Sequence, residues 1–150
     1  MIKMNLNFRN TKIDEAIREN SKRSSMILDL VNTTSWITDE KLFFGREFKN
    51  RLEVTRIKTP FTTILPTLII VFKKKDLQNP KLRLSFFGYA WFSILLLIFL
   101  FVIIKKIIDP DFQGDLAFTI LLVSFFFLLF AIEFYITKKT FNRLKLRIKE

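Results

Sequence analysis

One acidic side chain stands inside the most apolar part of this sequence. Glu133 is the only charged residue in residues 116–136, which read LAFTILLVSFFFLLFAIEFYI. A carboxylate in such surroundings requires a cation or local water beside it. Arg83 lies just before a second apolar run, so the sequence predicts a polar pair between Glu133 and Arg83. Two interpretations stay open: a structural ion pair, or a site that takes up an ion or a proton.

Two groups of basic side chains are candidates for contacts with anions, a consecutive triplet and an alternating group close to the last residue. They are Lys73, Lys74, Lys75, Arg143, Lys145 and Arg147. Such cations attract anionic lipid headgroups, at about 1 kcal/mol each, or an acidic protein surface. We expect lipid or partner contacts at both groups. For the triplet, the alternative is a solvated strand end that protects a sheet edge.

Most catalytic and metal-binding chemistry lacks its side chains here. The chain has no Cys and no His, which excludes thiol nucleophiles, imidazole bases and zinc sites built on those ligands. The acidic run DPDFQGD begins like a calcium-binding loop, but its twelfth position, which requires a bidentate Glu, is Ile120. The 3 Gly residues are too scattered to form a phosphate-binding loop. We therefore expect a non-enzymatic protein without a cofactor or metal.

Two long apolar runs indicate a transmembrane helical hairpin. Residues 86–104 contain no charge, and residues 116–136 contain Glu133 alone. About 20 apolar residues are enough for a helix to cross a bilayer, so we predict spans over about 86–108 and 116–136. The acidic connection between them supplies the turn. Two buried helices of a soluble bundle would need polar faces, which neither run has.

The distribution of the net charge of +11 predicts the orientation of the hairpin. Residues 1–84 carry 17 Lys and Arg, residues 137–150 carry six, and the connection carries two. The positive-inside rule then puts both termini in the cytosol. The first residues contain no apolar run of the kind found in a secretory signal. Nucleic acid is not an expected partner, because the aromatic and basic run KLFFGREFKNR lacks the recognised Gly-Phe spacing.

Residues 2–8 alternate with the period of two that is typical of a half-buried strand, and runs of five to eight β-prone residues broken by turn residues follow from Lys41. The clearest runs are KLFFGREF, RLEVTRIK, TLIIVFKK and KLRLSFF, with a further strand at residues 2–8, partial strand in 24–38 and a short helix over 12–23. Turn residues in KN, in the stretch between Pro60 and Pro66, and in DLQNP separate the clearest runs. We predict an α+β membrane protein: a small cytosolic antiparallel β domain at 1–84, the hairpin at 85–136, and a basic cytosolic tail at 137–150.

The tail RLKLRIK allows two structures. It can pair as a strand with KLRLS, because the hairpin brings the two segments together. It can instead continue the second span as a basic interfacial helix, with Phe141, Leu144 and Ile148 facing lipid. Both structures imply binding rather than catalysis.

At FFGREFKNRLEVTRI the chain resembles small uncharacterised bacterial membrane proteins that carry an F-x-G turn, a short β region and a two-span hairpin. The turn here is Phe43, Phe44 and Gly45, and the likeness covers residues 41–136. The resemblance implies this layout and a bacterial inner membrane, without an established activity. We expect a module that binds anionic lipid, a partner protein or a second copy of itself, for example an immunity protein against a membrane-active toxin. The alternatives are a membrane-perturbing effector and an accessory subunit of a transporter that uses Glu133.

Overall fold

The computed structural model describes residue 6 and residues 8–29, 40–109 and 115–149. These residues form a five-stranded mixed sheet and three α-helices, an α+β layout. The elements are α1 (Asn10–Glu19), β1 (Ser21–Arg23), β2 (Phe43–Glu47), β3 (Arg51–Arg56), β4 (Leu68–Lys73), β5 (Asp76–Leu84), α2 (Phe86–Ile108) and α3 (Leu116–Arg147). A short 3₁₀ helix, Pro60–Thr62, lies between β3 and β4.

The sheet follows the order of the chain, β1-β2-β3-β4-β5. Strands β2 to β5 form the antiparallel meander that the four clearest β-prone runs predict. The predicted turn in DLQNP is wrong, because residues 76–80 belong to β5 and the chain reverses at residues 74–75. Pro80 is tolerated in a strand at the edge of the β2 to β5 meander, where its missing N–H removes no bond from a central ladder.

Strand β1 corrects the prediction of a purely antiparallel sheet. It pairs parallel to β2, with Ser21 opposite Phe43 and Arg23 opposite Gly45. Gly45 therefore lies in a strand and not in the turn suggested by the F-x-G resemblance. A Cβ at Gly45 would stand 3.0 Å from the Cβ of Ser21, which is closer than carbon atoms normally approach. The Gly thus lets the chain after α1 pack closely on β2.

The predicted short helix is present as α1, although it begins and ends earlier than the predicted range of 12–23. Its apolar positions Ile13, Ala16 and Ile17 recur at helical spacing and are buried against the sheet. Residues 24–29 contain no strand, and the rest of the ambiguous segment lies outside the described residues. The strand predicted at residues 2–8 also lies largely outside them. The backbone N–H of Leu6 nevertheless donates to the carbonyl of Gln78 in β5.

Helices α2 and α3 are long and apolar enough to cross a membrane. Only 11% of the most apolar stretch of each helix is buried within the protein. The two helices pack against each other through Phe92, whose ring centroid lies 5.9 Å from that of Phe126 and 5.7 Å from that of Phe127. Ser85 and Asp115 cap their N-termini through side-chain oxygens. The centre of the predicted connection, residues 110–114, lies outside the described residues.

Helix α3 continues without a break to Arg147, so the tail is helical and its predicted pairing as a strand is wrong. The predicted lipid contact of its apolar stripe is also wrong. Phe141, Leu144 and Ile148 are 3%, 0% and 7% exposed and belong to the core. They pack on the sheet face that carries Val54 and Phe72. The apolar stripe of an amphipathic helix is buried when the helix lies against the apolar face of a sheet.

Candidate functional site

The hairpin meets the sheet at one end, which we call the junction. Strand β3 ends there, β4 begins there, and β5 runs through Leu84 directly into α2. The opposite end, which we call the far end, carries the turns at residues 48–50 and 74–75. A strand of six residues such as β4 separates the two ends by about 20 Å. The sites predicted from the sequence divide between them.

A buried ion pair connects α3 to the sheet at the junction. Nη2 of Arg56, the last residue of β3, lies 2.6 Å from Oε2 of Glu133. The two side chains are 6% and 1% exposed. The predicted partner of Glu133 was Arg83, and that pairing is wrong. Arg83 pairs with Ile69, and Ile69 pairs with Thr55, so these three side chains lie on one face of the sheet. Arg56 directly follows Thr55 in β3, so its side chain lies on the opposite face.

Two further polar side chains complete this group. Thr137, one helical turn after Glu133, donates its hydroxyl to Oε1 of Glu133 at 3.1 Å. Lys58 is only 2% exposed and donates to the carbonyl of Leu65 and, at 3.0 Å, to the hydroxyl of Thr67. We call Arg56, Lys58, Glu133 and Thr137 the junction cluster.

The junction cluster holds two cations and one carboxylate, so it carries an excess positive charge in a buried place. Burial lowers the pKa of Lys58 to about 8, because removal from water disfavours the ammonium form. The negative charge of Glu133 opposes this shift, and the positive charge of Arg56 adds to it. Glu133 accepts hydrogen bonds at both carboxylate oxygens. Its role in this structure is therefore to bind the sheet.

A second charged group lies on the other face of the sheet and positions α2. Arg83 donates to Asp29 at 2.8 Å and to Glu53 at 3.1 Å. Asp29 also accepts from the backbone N–H of Phe86, the first residue of α2, at 2.7 Å. The hydrogen bonds from Arg83 lower the pKa of Asp29 and raise that of Arg83. We call Asp29, Glu53 and Arg83 the Arg83 cluster.

The basic triplet lies at the far end and not at the junction. Lys73 ends β4, and Lys74 and Lys75 form the turn into β5. Nζ of Lys74 lies 2.6 Å from Oε1 of Glu47, which also receives Arg18 from α1. These bonds lower the pKa of Glu47 to about 2. The triplet thus lies at the end of the sheet opposite the hairpin.

The other basic group lies in the last turns of α3. Arg143 is exposed, and Lys145 is half-buried. Arg147 donates to the side-chain oxygen of Asn20 and, at 3.1 Å, to the carbonyl of Glu40. Arg147 thus fastens the end of α3 to the chain that follows α1.

Five residues of the two clusters were not among the predicted site residues: Arg56, Lys58, Thr137, Asp29 and Glu53. A signal for Arg56 and Lys58 exists in RLEVTRIK, where alternate positions place them on the same sheet face as Leu52 and Val54. A charged side chain on the core face of a strand requires a buried partner. The only acidic residue in either apolar run is Glu133. No comparable pattern identifies Asp29.

The chain was also compared with known protein families, curated proteins and solved structures. None of the three comparisons found a match. What this arrangement does must therefore be argued from its own residues, and they describe a rigid attachment of a basic sheet domain to an exposed apolar hairpin.

Proposed function

We propose that this chain is a two-span membrane protein that holds a binding domain at the cytosolic face. The observation that carries the proposal is the exposure of α2 and α3, whose apolar stretches are 11% buried. Large side chains such as Trp91, Leu97 and Leu121 are 62%, 65% and 62% exposed. An apolar surface of this extent is unfavourable in water and favourable in lipid.

The length and charge of the helices fit a bilayer whose cytosolic boundary lies at the junction. Helix α2 has 23 residues, or about 35 Å at about 1.5 Å per residue, against about 30 Å of hydrocarbon. In α3 the first charge is Glu133, which is paired with the sheet domain. Lys138 and Lys139 follow within two turns and are exposed, at the depth where anionic headgroups lie.

The far end is the surface that we propose for a partner protein. It points away from the bilayer and combines exposed cations with an aromatic ring. The guanidinium carbons of Arg46 and Arg51 lie 4.9 and 4.7 Å from the ring centroid of Phe48. Lys73 and Lys75 are exposed beside them. A surface of this composition fits an acidic protein partner, since cations steer association and an aromatic side chain supplies contact area.

This binding role is not enzymatic, and an immunity protein is one form of it. The role of a transporter subunit has less support, because both carboxylate oxygens of Glu133 are engaged by Arg56 and Thr137. A metal cation at Glu133 would be repelled by the guanidinium of Arg56, whose Nη2 lies 2.6 Å from Oε2.

Cysteine labelling in intact cells tests the membrane topology directly, because the native chain has no Cys. Single variants Gln113→Cys and Lys75→Cys are treated with a membrane-impermeant maleimide. We expect modification at 113 in intact cells, and at 75 only after the membrane is opened. Modification at 75 in intact cells would overturn the proposed orientation.

Photo-crosslinking of the full chain in its own membrane tests the binding surface. A crosslinking amino acid at Lys75 is compared with one at Lys22, which is exposed on the edge strand β1. We expect a discrete adduct from position 75 that is lost when Arg46 and Lys73 are both changed to Glu. An adduct that survives this charge reversal, or that forms only from position 22, would contradict a partner at the far end.

A further inference from the structure

The loop between β3 and β4 exposes two large apolar side chains beside the hairpin. Phe61 is 94% exposed and Ile64 is 70% exposed. Among the residues that the structure describes, Phe61 is the most exposed large apolar side chain. Neither residue belongs to either apolar helix, so the hairpin alone does not account for their exposure.

The backbone of the loop places both side chains on one side. Successive hydrogen bonds span three residues, from Thr62 to Thr59, Thr63 to Pro60 and Leu65 to Thr62. In this 3₁₀ pattern, residues three apart lie on the same side. Thr62 and Leu65 therefore share the inward side, where Thr62 meets Arg56 and Leu65 is 7% exposed. Phe61 and Ile64 share another side.

Of these two residues, Ile64 lies beside the first turns of α2. Ile64 lines an open groove of about 470 Å³ together with Phe87, Trp91 and Leu95. The charge-free part of α2 begins at Phe86, and about 20 such residues fill the hydrocarbon layer. In the proposed membrane position, the groove and the Phe61 side of the loop therefore lie at the cytosolic boundary of the hydrocarbon.

The loop is held in this conformation by bonds from the junction cluster and by its own side chains. Lys58 donates to Leu65 and Thr67, and Thr59 and Thr62 cap each other. Pro60 and Pro66 restrict the backbone at both ends of the loop. Insertion of a loop that is already ordered costs little conformational entropy. Removal of an exposed Phe side chain from water into an apolar environment is favourable.

We propose that Phe61 and Ile64 insert into the interfacial region of the bilayer beside α2. This inference rests on the proposed function, because it requires that α2 crosses the membrane. It adds a third lipid contact that fixes the tilt of the sheet domain. The two side chains contact the boundary between lipid headgroups and acyl chains. At the same depth, the exposed cations Lys138 and Lys139 of α3 suit an anionic lipid surface.

Site-directed nitroxide labelling measures the depth of each position. The full chain is reconstituted in phosphatidylcholine and phosphatidylglycerol vesicles, with single Cys variants at Phe61, Leu97 and Lys75. Collision rates with oxygen, which concentrates in lipid, and with a water-soluble nickel chelate give a depth ratio. We expect the largest ratio at 97 and the smallest at 75, and a ratio at 61 that exceeds that at 75 by at least about threefold.

The outcomes separate the two proposals. A high ratio at 97 with equal ratios at 61 and 75 overturns the inserted loop and leaves the spans intact. A low ratio at 97 overturns the spans, and the inserted loop with them. A ratio at 61 that rises only at high protein-to-lipid ratio shows contact with a second copy, which also overturns insertion into lipid.

Discussion

Two charged clusters hold the two helices of the hairpin, one on each face of the sheet. The junction cluster binds α3 through Arg56 and Glu133, which are 6% and 1% exposed at their side chains. The Arg83 cluster binds the start of α2 through Arg83 and Asp29, which are 32% and 14% exposed, while its third member, Glu53, is 1% exposed. The two ion pairs thus have similar chemistry and different exposure to solvent.

The difference in burial changes what each cluster contributes. Near water, an ion pair gains little because solvent screens it and solvates each partner well when the pair breaks. In a buried place, the free energy of unfolding depends on whether each charge retains a partner. The junction cluster is also unbalanced in charge, because two cations, Arg56 and Lys58, lie near one carboxylate, Glu133. The Arg83 cluster has two carboxylates, and Arg51, which lies 3.0 Å from Glu53, adds a second cation to it. We therefore expect substitutions in the junction cluster to have the larger effects.

The largest effect is expected from Glu133→Gln. This variant leaves Arg56 and Lys58 buried without a carboxylate, so the free energy of unfolding falls by about 3–5 kcal/mol. Arg56→Gln costs less, because Glu133 keeps Thr137 and the nearby charge of Lys58. Reversible denaturation of the full chain in detergent micelles measures both.

A double variant with Met at 56 and 133 provides the control for this prediction. Because it removes both members of the pair together, it is expected to be more stable than Glu133→Gln alone. Losses that simply add in a cycle with the single variants Arg56→Met and Glu133→Met, or equal losses from Glu133→Gln and Arg56→Gln, would contradict a coupled buried cluster.

The second effect is a pH dependence that comes from Lys58. Its pKa is about 8 in the folded chain and 10.5 in the unfolded chain, so between these values the unfolded chain binds more protons. Stability then rises with pH in this window, by about 2–3 kcal/mol at about 1.4 kcal/mol per pKa unit. Below pH 8 the contribution is constant.

The measurement compares the wild type with Lys58→Met at pH 8 and at pH 10.5. The difference between the two proteins isolates Lys58 from other groups that titrate in alkali. If the wild type gains no stability relative to Lys58→Met between these two pH values, the pKa of Lys58 is not lowered. The charge of Glu133, which raises this pKa, would then offset the effect of burial, which lowers it.

The Arg83 cluster should show a smaller loss. Asp29→Asn removes the charge opposite Arg83 and keeps an oxygen for the N–H of Phe86, so we expect a loss of about 1–2 kcal/mol. Asp29→Ala also removes the acceptor at the start of α2 and should cost more. Chemical denaturation of both variants beside the wild type checks this order. A loss from Asp29→Asn as large as that from Glu133→Gln would remove the contrast between the two clusters.

Much of the layout could be predicted from the sequence. The β-prone runs KLFFGREF, RLEVTRIK and TLIIVFKK correspond to β2, β3 and β4, and both faces of β3 and β4 are largely buried. The two apolar runs correspond to α2 and α3. The parallel pairing of β1 was not predictable, because a strand of three residues carries too little pattern.

The partner of Glu133 was predicted incorrectly for a physical reason. Arg83 is close to the hairpin along the chain, but the period of two turns its side chain to the face opposite α3. Arg56 is 77 residues from Glu133 and reaches it only because the meander brings the end of β3 beside the start of α2. Sequence proximity identified the correct end of the sheet and the wrong face.

The smallest effect is expected at the far end, where Glu47 receives Arg18 and Lys74. Its side chain is 31% exposed, so solvent screens the pairs, and Glu47→Gln should cost less than about 1 kcal/mol. The pKa of Glu47 is lowered from 4.5 to about 2. Its contribution is therefore present above pH 4.5 and lost as the pH falls toward 2.

Salt distinguishes this surface group from the junction cluster. Salt at about 1 M should reduce the difference between Glu47→Gln and the wild type, because the Debye length then falls to about 3 Å, close to the 2.8 and 2.6 Å separations of these pairs. The same addition should leave the loss from Glu133→Gln nearly unchanged, since no mobile ion reaches a carboxylate that is 1% exposed. Equal salt sensitivity at the two positions would mean that water and ions reach the junction. The ion pair between Arg56 and Glu133, which holds the hairpin on the sheet, would then not be buried.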